Sequence, residues 1–263
     1  MVNTLFVLIL GLVTGSFLGA LTYRFPKGIS IKKGRSFCPN CKTAIKWFDN
    51  IPLFSYLCLG GKCRNCHKNI SLRYPVIEAV SGFLFVFVYT YACRIGAFSE
   101  LSCLYQANFG LLYFPFIILI FSFLLAIFVI DLEHQIIPDR LIYFLLLFIS
   151  FALLMFPGTV PFQHLASGFG ASLFLLIIFL VTREKGMGLG DVKFALFAGT
   201  FLGWPQTIVW LFLSFLIGAV VGVFLILIKK ASFGKHIPFG PFLVVSFFIA
   251  TFFGSQIISW LGF

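Results

Sequence analysis

Acidic residues are the scarcest chemistry in this chain: eight Asp and Glu stand among 263 residues, against nineteen Lys and Arg. Charge of either sign makes up only 10% of the sequence, while 60% is hydrophobic and 38 residues are Phe. A water-soluble chain of this length would leave far too much apolar surface uncovered, so a bilayer is expected to be the solvent. A glycine-rich strand-to-helix fingerprint is missing, so no cofactor pocket of that kind can be read from the residues. No recognition-helix pattern accompanies the basic charge, which argues against nucleic acid as a partner. The chain shows no repeated halves, since its cysteine loop and its acidic motifs each occur once, which argues against a duplicated transporter. The first apolar run has no basic region before it, and Tyr23-Arg24-Phe25 offers no small-residue cleavage site, so it is expected to be a retained anchor rather than a signal peptide.

What the chain does have is apolar length. A membrane span needs roughly 20 mostly apolar residues, and such runs lie at about 4-22, 76-93, 111-130, 141-157, 165-182, 206-228 and 239-262, with a shorter one at 192-204. The expectation is an all-α polytopic membrane protein of about eight transmembrane helices. Lys and Arg concentrate in cytoplasmic loops near span ends. With the N-terminus outside and eight crossings, 18 of the 19 basic residues fall inside and only Arg94 outside. Both termini are then external. The count also supports 192-204 as a span, since omitting it puts Lys229, Lys230 and Lys235 on the wrong side.

Residues 23-75 hold eleven basic residues and one acid, Asp49, a net charge of 11 − 1 = +10. Such a segment is attracted to anionic lipid by about 1 kcal/mol per basic residue near the surface. Within it stand Cys38-Pro39-Asn40-Cys41 and Cys63-Arg64-Asn65-Cys66. Two Cys-x-x-Cys pairs at this separation form two tight knuckles that close a tetrahedral thiolate site, which suits zinc. Disulfides are the other reading, and a reducing cytoplasm argues against them. Four cysteines leave no open position for water, so the site is expected to be structural and to hold together a loop too short for its own core. His67 is expected to be a bystander and Cys58 lies outside both pairs. Cys93 and Cys103 fall at the external face, where a disulfide is unforced.

An acid near the hydrocarbon is costly and asks for a reason. Asp131 ends one apolar run and opens Asp131-Leu132-Glu133-His134-Gln135-Ile136-Ile137-Pro138-Asp139-Arg140; Asp191 closes Gly186-Met187-Gly188-Leu189-Gly190-Asp191 just before another run. The charge-derived topology puts both at cytoplasmic span ends, where they could meet. Two adjacent carboxyl groups share a proton, one acting as base toward water and the other as acid toward a scissile carbonyl, the chemistry of an aspartic protease. Gly188 and Gly190 would let backbone pack closely or bend before Asp191. A helix N-cap suits Asp191 equally well, and spacing alone does not choose. Asp139 reads as a cap for helix 141-157, and Glu133 and His134 as a solvated flank.

Taken together these residues resemble one family over nearly the whole chain, the bacterial type IV prepilin leader peptidases. The resemblance is carried by Gly15-Ser16-Phe17-Leu18 with Tyr23-Arg24-Phe25-Pro26, and by Asn50-Ile51-Pro52, Ser55 and Gly61-Lys62-Cys63-Arg64-Asn65-Cys66. It continues through Ile70-Ser71-Leu72-Arg73-Tyr74-Pro75, Glu78, the Asp131-to-Asp139 segment and Gly188-Leu189-Gly190-Asp191-Val192-Lys193. It implies a Gly-x-Gly-Asp aspartyl protease of the bacterial inner membrane with Asp131 and Asp191 as catalytic residues facing the cytoplasm. The family's enzymes cleave the short basic leader of type IV prepilins and type II secretion pseudopilins, then N-methylate the exposed residue with S-adenosylmethionine. It further implies a division into a first helix (1-22), a methylation-associated zinc domain (23-75) and a seven-helix peptidase domain (76-263). Gly61, Arg73 and Glu78 become candidates for the methyl-transfer site; the residues themselves also read as a turn before the second knuckle and an ion pair at a span entrance. One departure is Gly19, where the family usually carries Asn, and it bears on methyl transfer. A protease without methylation and a proton-coupled transporter with a zinc cap are the competing functions, and self-association is left open.

Overall fold

The computed structural model describes residues 4–30, 36–94, 113–155, 161–183, 186–229 and 237–262. Cys103 and the side chains of Cys93 and Arg94 lie outside the described residues, as do Lys32, Lys33, Arg35, Glu184, Lys185, Lys230 and Lys235. A backbone in lipid has no water to bond, so each apolar run satisfies its own amides and carbonyls by coiling. The helices are α1 (Thr4–Arg24), a short α2 (Phe54–Cys58), α3 (Arg73–Arg94), α4 (Tyr113–His134), α5 (Asp139–Met155), α6 (Pro161–Val181), α7 (Leu189–Leu202), α8 (Gln206–Leu227) and α9 (Gly240–Leu261). Apart from α2, each falls on one predicted run. Among the described residues β-pairing is limited to two isolated bridges.

Several starts are marked by proline in the first three positions, Pro75, Pro115, Pro161 and Pro241. The missing N–H costs nothing there because first-turn amides have no intrahelical partner. Five helices, α1, α4, α6, α8 and α9, are long and apolar enough over their described residues to cross a membrane. The 17 residues of α5 and the 14 of α7 fall short of the usual span. Eight crossings therefore stands as the expectation from charge, and five as what helix length and composition carry.

Packing divides the chain into two units. The first holds α1, the loop to α3, α3 itself and Phe114–Ala126 of α4. Here α1 lies against α3 along a glycine seam: a Cβ on Gly15 would sit 2.7 Å from the Glu78 Cα, and one on Gly11 2.8 Å from the Gly82 Cα. Such small-residue seams let membrane helices approach where no hydrophobic force distinguishes protein from lipid. At the loop end of this seam the Arg73 guanidinium donates to the Gly19 carbonyl (3.1 Å) and to Thr22 Oγ1 (2.7 Å).

The second unit holds the rest of α4 with α5 to α9. Its centre is α7, whose residues from Asp191 to Leu202 are mostly buried. Its small residues Ala195, Ala198 and Gly199 are buried and let neighbouring helices close around it. Gly199 of α7 meets Gly168 of α6, where an added Cβ would lie 2.7 Å from the Gly168 Cα. Phe194 and Phe197 of α7 pack on Phe247 of α9, and Trp210 of α8 donates its indole N–H to the Leu243 carbonyl of α9 at 3.0 Å.

Candidate functional site

Asp131 lies in the last turn of α4 and Asp191 in the first turn of α7, within the second unit; both are buried, 5% and 6% exposed. Each is held by one backbone amide. Gly188 N–H donates to Asp191 Oδ2 at 3.0 Å, and Gly240 N–H donates to Asp131 Oδ2 at 3.0 Å.

The glycines before Asp191 have separable reasons. Gly188 is the extended residue that caps α7 (φ −90°, ψ 155°), and Asp191, at the third helical position, reaches back to its N–H. Having no side chain, Gly188 supplies only half of a capping box. The cap is thus Gly188 rather than Asp191, and the carboxylate is oriented by the turn it closes. At Gly190 the reason is close approach: a Cβ there would lie 2.9 Å from the Cβ of Ile137. Ile137 belongs to the turn between Asp131 and Asp139, so this contact brings the two acidic motifs together.

Sequence reasoning missed Gly240. A Cβ there would lie 2.5 Å from Asp131 Oδ2 and 2.8 Å from its Cγ, so only glycine leaves room for the carboxylate against this backbone. The ring of Phe239 is set 5.4 Å from Phe215 of α8, which fixes the entry of α9. The signal was available in Pro238-Phe239-Gly240-Pro241, two prolines and a glycine packed just before an apolar run. Asp139 is the first residue of α5, and its carboxylate takes Lys193 Nζ at 2.8 Å, tying α5 to α7 two residues beyond Asp191. Glu133 and His134 form the solvated flank expected of them.

The cysteine pairs lie in the first unit. The ligand atoms of Cys38, Cys41, Cys63 and Cys66 all fall within 4.8 Å of one another, and Cys38 Sγ is 3.9 Å from Cys66 Sγ. Four thiolates about 2.3 Å from one zinc ion stand roughly 3.8 Å apart at tetrahedral corners, so the donor set fits zinc. The four residues come from two copies of one turn. Lys42 N–H donates to the Cys38 carbonyl (2.9 Å) and His67 N–H to the Cys63 carbonyl (3.0 Å). Both Lys42 and His67 have left-handed backbone (φ 60° and 54°), and each knuckle is closed by an isolated bridge, Phe37 to Ala44 and Lys62 to Asn69. Asn65 Nδ2 donates to Thr43 Oγ1 at 2.9 Å across the knuckles. Hydrogen bonds from Thr43 draw the Cys41 thiol down to about 6, toward the thiolate a metal requires. Arg64 forks onto Asp49 at 2.7 to 3.1 Å and holds that carboxyl below its usual range. His67 is not in the cluster, and Cys58 is an exposed free thiol on α2.

The three methyl-transfer candidates have separate partners. Gly61 sits at φ +69°, with its N–H on the Tyr56 carbonyl (2.9 Å) and its carbonyl on Ile70 N–H (2.7 Å), so it makes the turn before the second knuckle. Arg73 grips the end of α1, as described above. Glu78 is buried and accepts the Leu53 N–H at 2.8 Å. An apolar cavity of about 320 Å³ in this unit is lined by α1, α3 and α4, Phe17, Phe85 and Phe123 among them, and contains none of the three. Among the described residues, Gly61, Arg73 and Glu78 are thus engaged by the protein's own backbone and side chains, apart from that cavity.

Comparison with known proteins gives consistent matches. The family model described as the bacterial peptidase A24 N-terminal domain matches residues 9–92, and that of the type IV leader peptidase family matches 118–223. A prepilin leader peptidase/N-methyltransferase of Pseudomonas aeruginosa is 31% identical, with 95% of this chain and 90% of that protein aligned. Proteins of the same name from Legionella pneumophila and Bacillus subtilis (strain 168) are 34% and 32% identical, covering 86% and 98% of this chain and 75% and 97% of theirs. No solved structure matches.

Proposed function

The chain belongs to the type IV leader peptidase family, and from that premise we propose that it cleaves the basic leader of type IV prepilins and type II secretion pseudopilins and then N-methylates the new N-terminal residue. The proteolytic pair is Asp131 and Asp191, at the cytoplasmic face of the bacterial inner membrane. The observation that carries this reading is two buried carboxyl groups in one unit, each gripped through a single oxygen by a glycine N–H.

That grip leaves the other oxygen of each acid for chemistry. The pair holds one proton between them: the ionised carboxyl draws a proton from water while the protonated one donates to the oxygen of the scissile carbonyl. A prepilin keeps its apolar helix in the bilayer and projects its leader into the cytoplasm, so a cutting site at the cytoplasmic ends of α4 and α7 meets it. The residues 23-75 are the methylation-associated domain, pinned by zinc on Cys38, Cys41, Cys63 and Cys66, residues 1-22 are the first helix, and residues 76-263 carry the peptidase. Methyl transfer rests on the double name of the relatives, with Gly61, Arg73 and Glu78 of that first unit as candidates and S-adenosylmethionine as donor.

The test is cleavage of a prepilin by membranes bearing Asp131→Asn or Asp191→Asn. Each is expected to lose at least about a thousandfold in rate, the scale of removing a group that acts in the transition state. Cleavage retained in either variant overturns the assignment. Mass spectrometry of the mature product separates the two activities: an unmethylated N-terminus from an enzyme that still cleaves leaves a protease alone.

A further inference from the structure

Between Asp49 and Lys62 the +10 segment carries no charge for twelve residues, Asn50 to Gly61. These residues include Ile51, Pro52, Leu53, Phe54, Leu57 and Leu59. An uncharged apolar stretch in the middle of a cytoplasmic basic domain would be expected to make a core. Instead its large side chains face outward: Phe54 is 62% exposed, Leu57 75%, and Trp47, in the turn just before it, 76%. Phe54 and Leu57 are three residues apart on α2 and share one side of that helix. At the edges of the stretch stand the cations Lys46, Lys62 and Arg64.

The place where this stretch is fastened decides what it faces. Leu53 N–H is held by Glu78 at 2.8 Å. Glu78 lies in the second turn of α3, two residues into the apolar run that begins at 76, or roughly 3 Å along the helix at 1.5 Å per residue. The backbone of the stretch is thus fixed at the level where α3 enters hydrocarbon. Beside it α3 exposes Val76 and Val80, and Leu72 is exposed just before the helix starts. Exposed Trp, Phe and Leu at that level with cations around them match a segment that lies in the interface, its apolar side sunk about 5–10 Å and its basic rim among the headgroups.

We infer that residues 47–59 form a membrane-seated segment, with Trp47, Phe54 and Leu57 inserted into the anionic leaflet and Lys46, Lys62 and Arg64 at the phosphate level. The occupant of this surface is lipid, and the zinc knuckles are thereby held flat against the membrane. The inference rests on α3 crossing the membrane along its apolar run from 76, and on the proposed topology for the choice of leaflet.

The experiment uses the full chain in vesicles of phosphatidylcholine and phosphatidylglycerol. Tryptophan fluorescence is compared between the Trp47→Phe parent and the same protein carrying Phe54→Trp, so that Trp204, Trp210 and Trp260 cancel. The added tryptophan is expected to emit to the blue, to lose intensity when the lipids are brominated near the glycerol end of their chains, and to be shielded from aqueous iodide. The native protein against its Trp47→Phe variant gives an independent reading with no added residue. Iodide quenching without lipid quenching at both positions overturns the inference. So does a blue shift that appears only when a prepilin is added, which assigns the patch to substrate. Lipid quenching reads insertion on either leaflet, so its failure is distinguishable from a failure of the topology.

Discussion

At the scale of single residues, the two aspartates were legible because acids at span ends are rare, and their supports were not. Sequence patterning cannot show that the start of α9 comes back to Asp131, because that contact joins residues 109 apart. Gly240→Ala tests this. The added methyl would stand 2.5 Å from Asp131 Oδ2 and push the carboxyl aside, and a displacement near 1 Å at a reacting group costs about a hundredfold. Cleavage by Gly240→Ala is expected to fall by about that factor in kcat with the substrate KM little changed, measured on detergent-solubilised enzyme with purified prepilin. A second consequence of the pair concerns pH. With both acids protonated there is no base, and with both ionised there is no acid, so kcat/KM is expected to be bell-shaped in pH. Asp131→Asn is expected to leave no bell in whatever activity remains. Leu53 belongs to this scale too. Its φ of 59° and ψ of −47°, with Phe54 N–H on the Pro52 carbonyl at 2.6 Å, form a rare strained γ-turn, a cost on the order of 1–3 kcal/mol. The hydrogen bond from Leu53 N–H to Glu78 Oε2 holds the turn in place, and no one-dimensional pattern announces such a turn.

At the scale of elements, the sequence was most informative where one motif makes one structure. The spacing of the cysteines was sufficient to foresee two knuckles, because a thiolate tetrahedron fixes both the turn and its closure. It did not reveal that the knuckles are near copies, since the likeness lies in backbone conformation at Lys42 and His67. With few buried residues of its own, this domain would depend on a bound metal for its shape. Stripping zinc with a chelator, or changing Cys63 to Ser, is expected to lower metal content from about one per chain and to open residues 36–72 to protease, while prepilin cleavage persists. Metal analysis and limited proteolysis check the first two, and loss of cleavage on zinc removal would tie the metal to the peptidase. The division of labour among helices was less legible. Hydropathy presents α7 as a short, weak span, whereas its packing makes it the buried centre of its unit, surrounded by α5, α6, α8 and α9. A helix covered by other helices need not match the thickness of the hydrocarbon.

At the scale of the whole molecule, the shortness of α7 has a consequence for topology. Its 14 residues extend about 21 Å, less than the roughly 30 Å of a bilayer core, yet the distribution of charge predicts that the chain changes sides there. If α7 crosses, Lys229, Lys230 and Lys235 lie with the other cations, and the C-terminus is external. If it does not, those three cations are on the outer side and the C-terminus is inside. The two outcomes differ by about 2.3 kcal/mol per misplaced charge for each 100 mV of membrane potential, which favours the crossing. Buried among its neighbours, α7 needs only to carry the chain from Gly188 on one side to the turn at Gly203, where α8 starts and supplies the full length. A reporter active only outside the cytoplasm, fused after Phe263, is therefore expected to be active, and the same reporter fused after Lys229 inactive. The reverse pattern would mean that α7 is re-entrant.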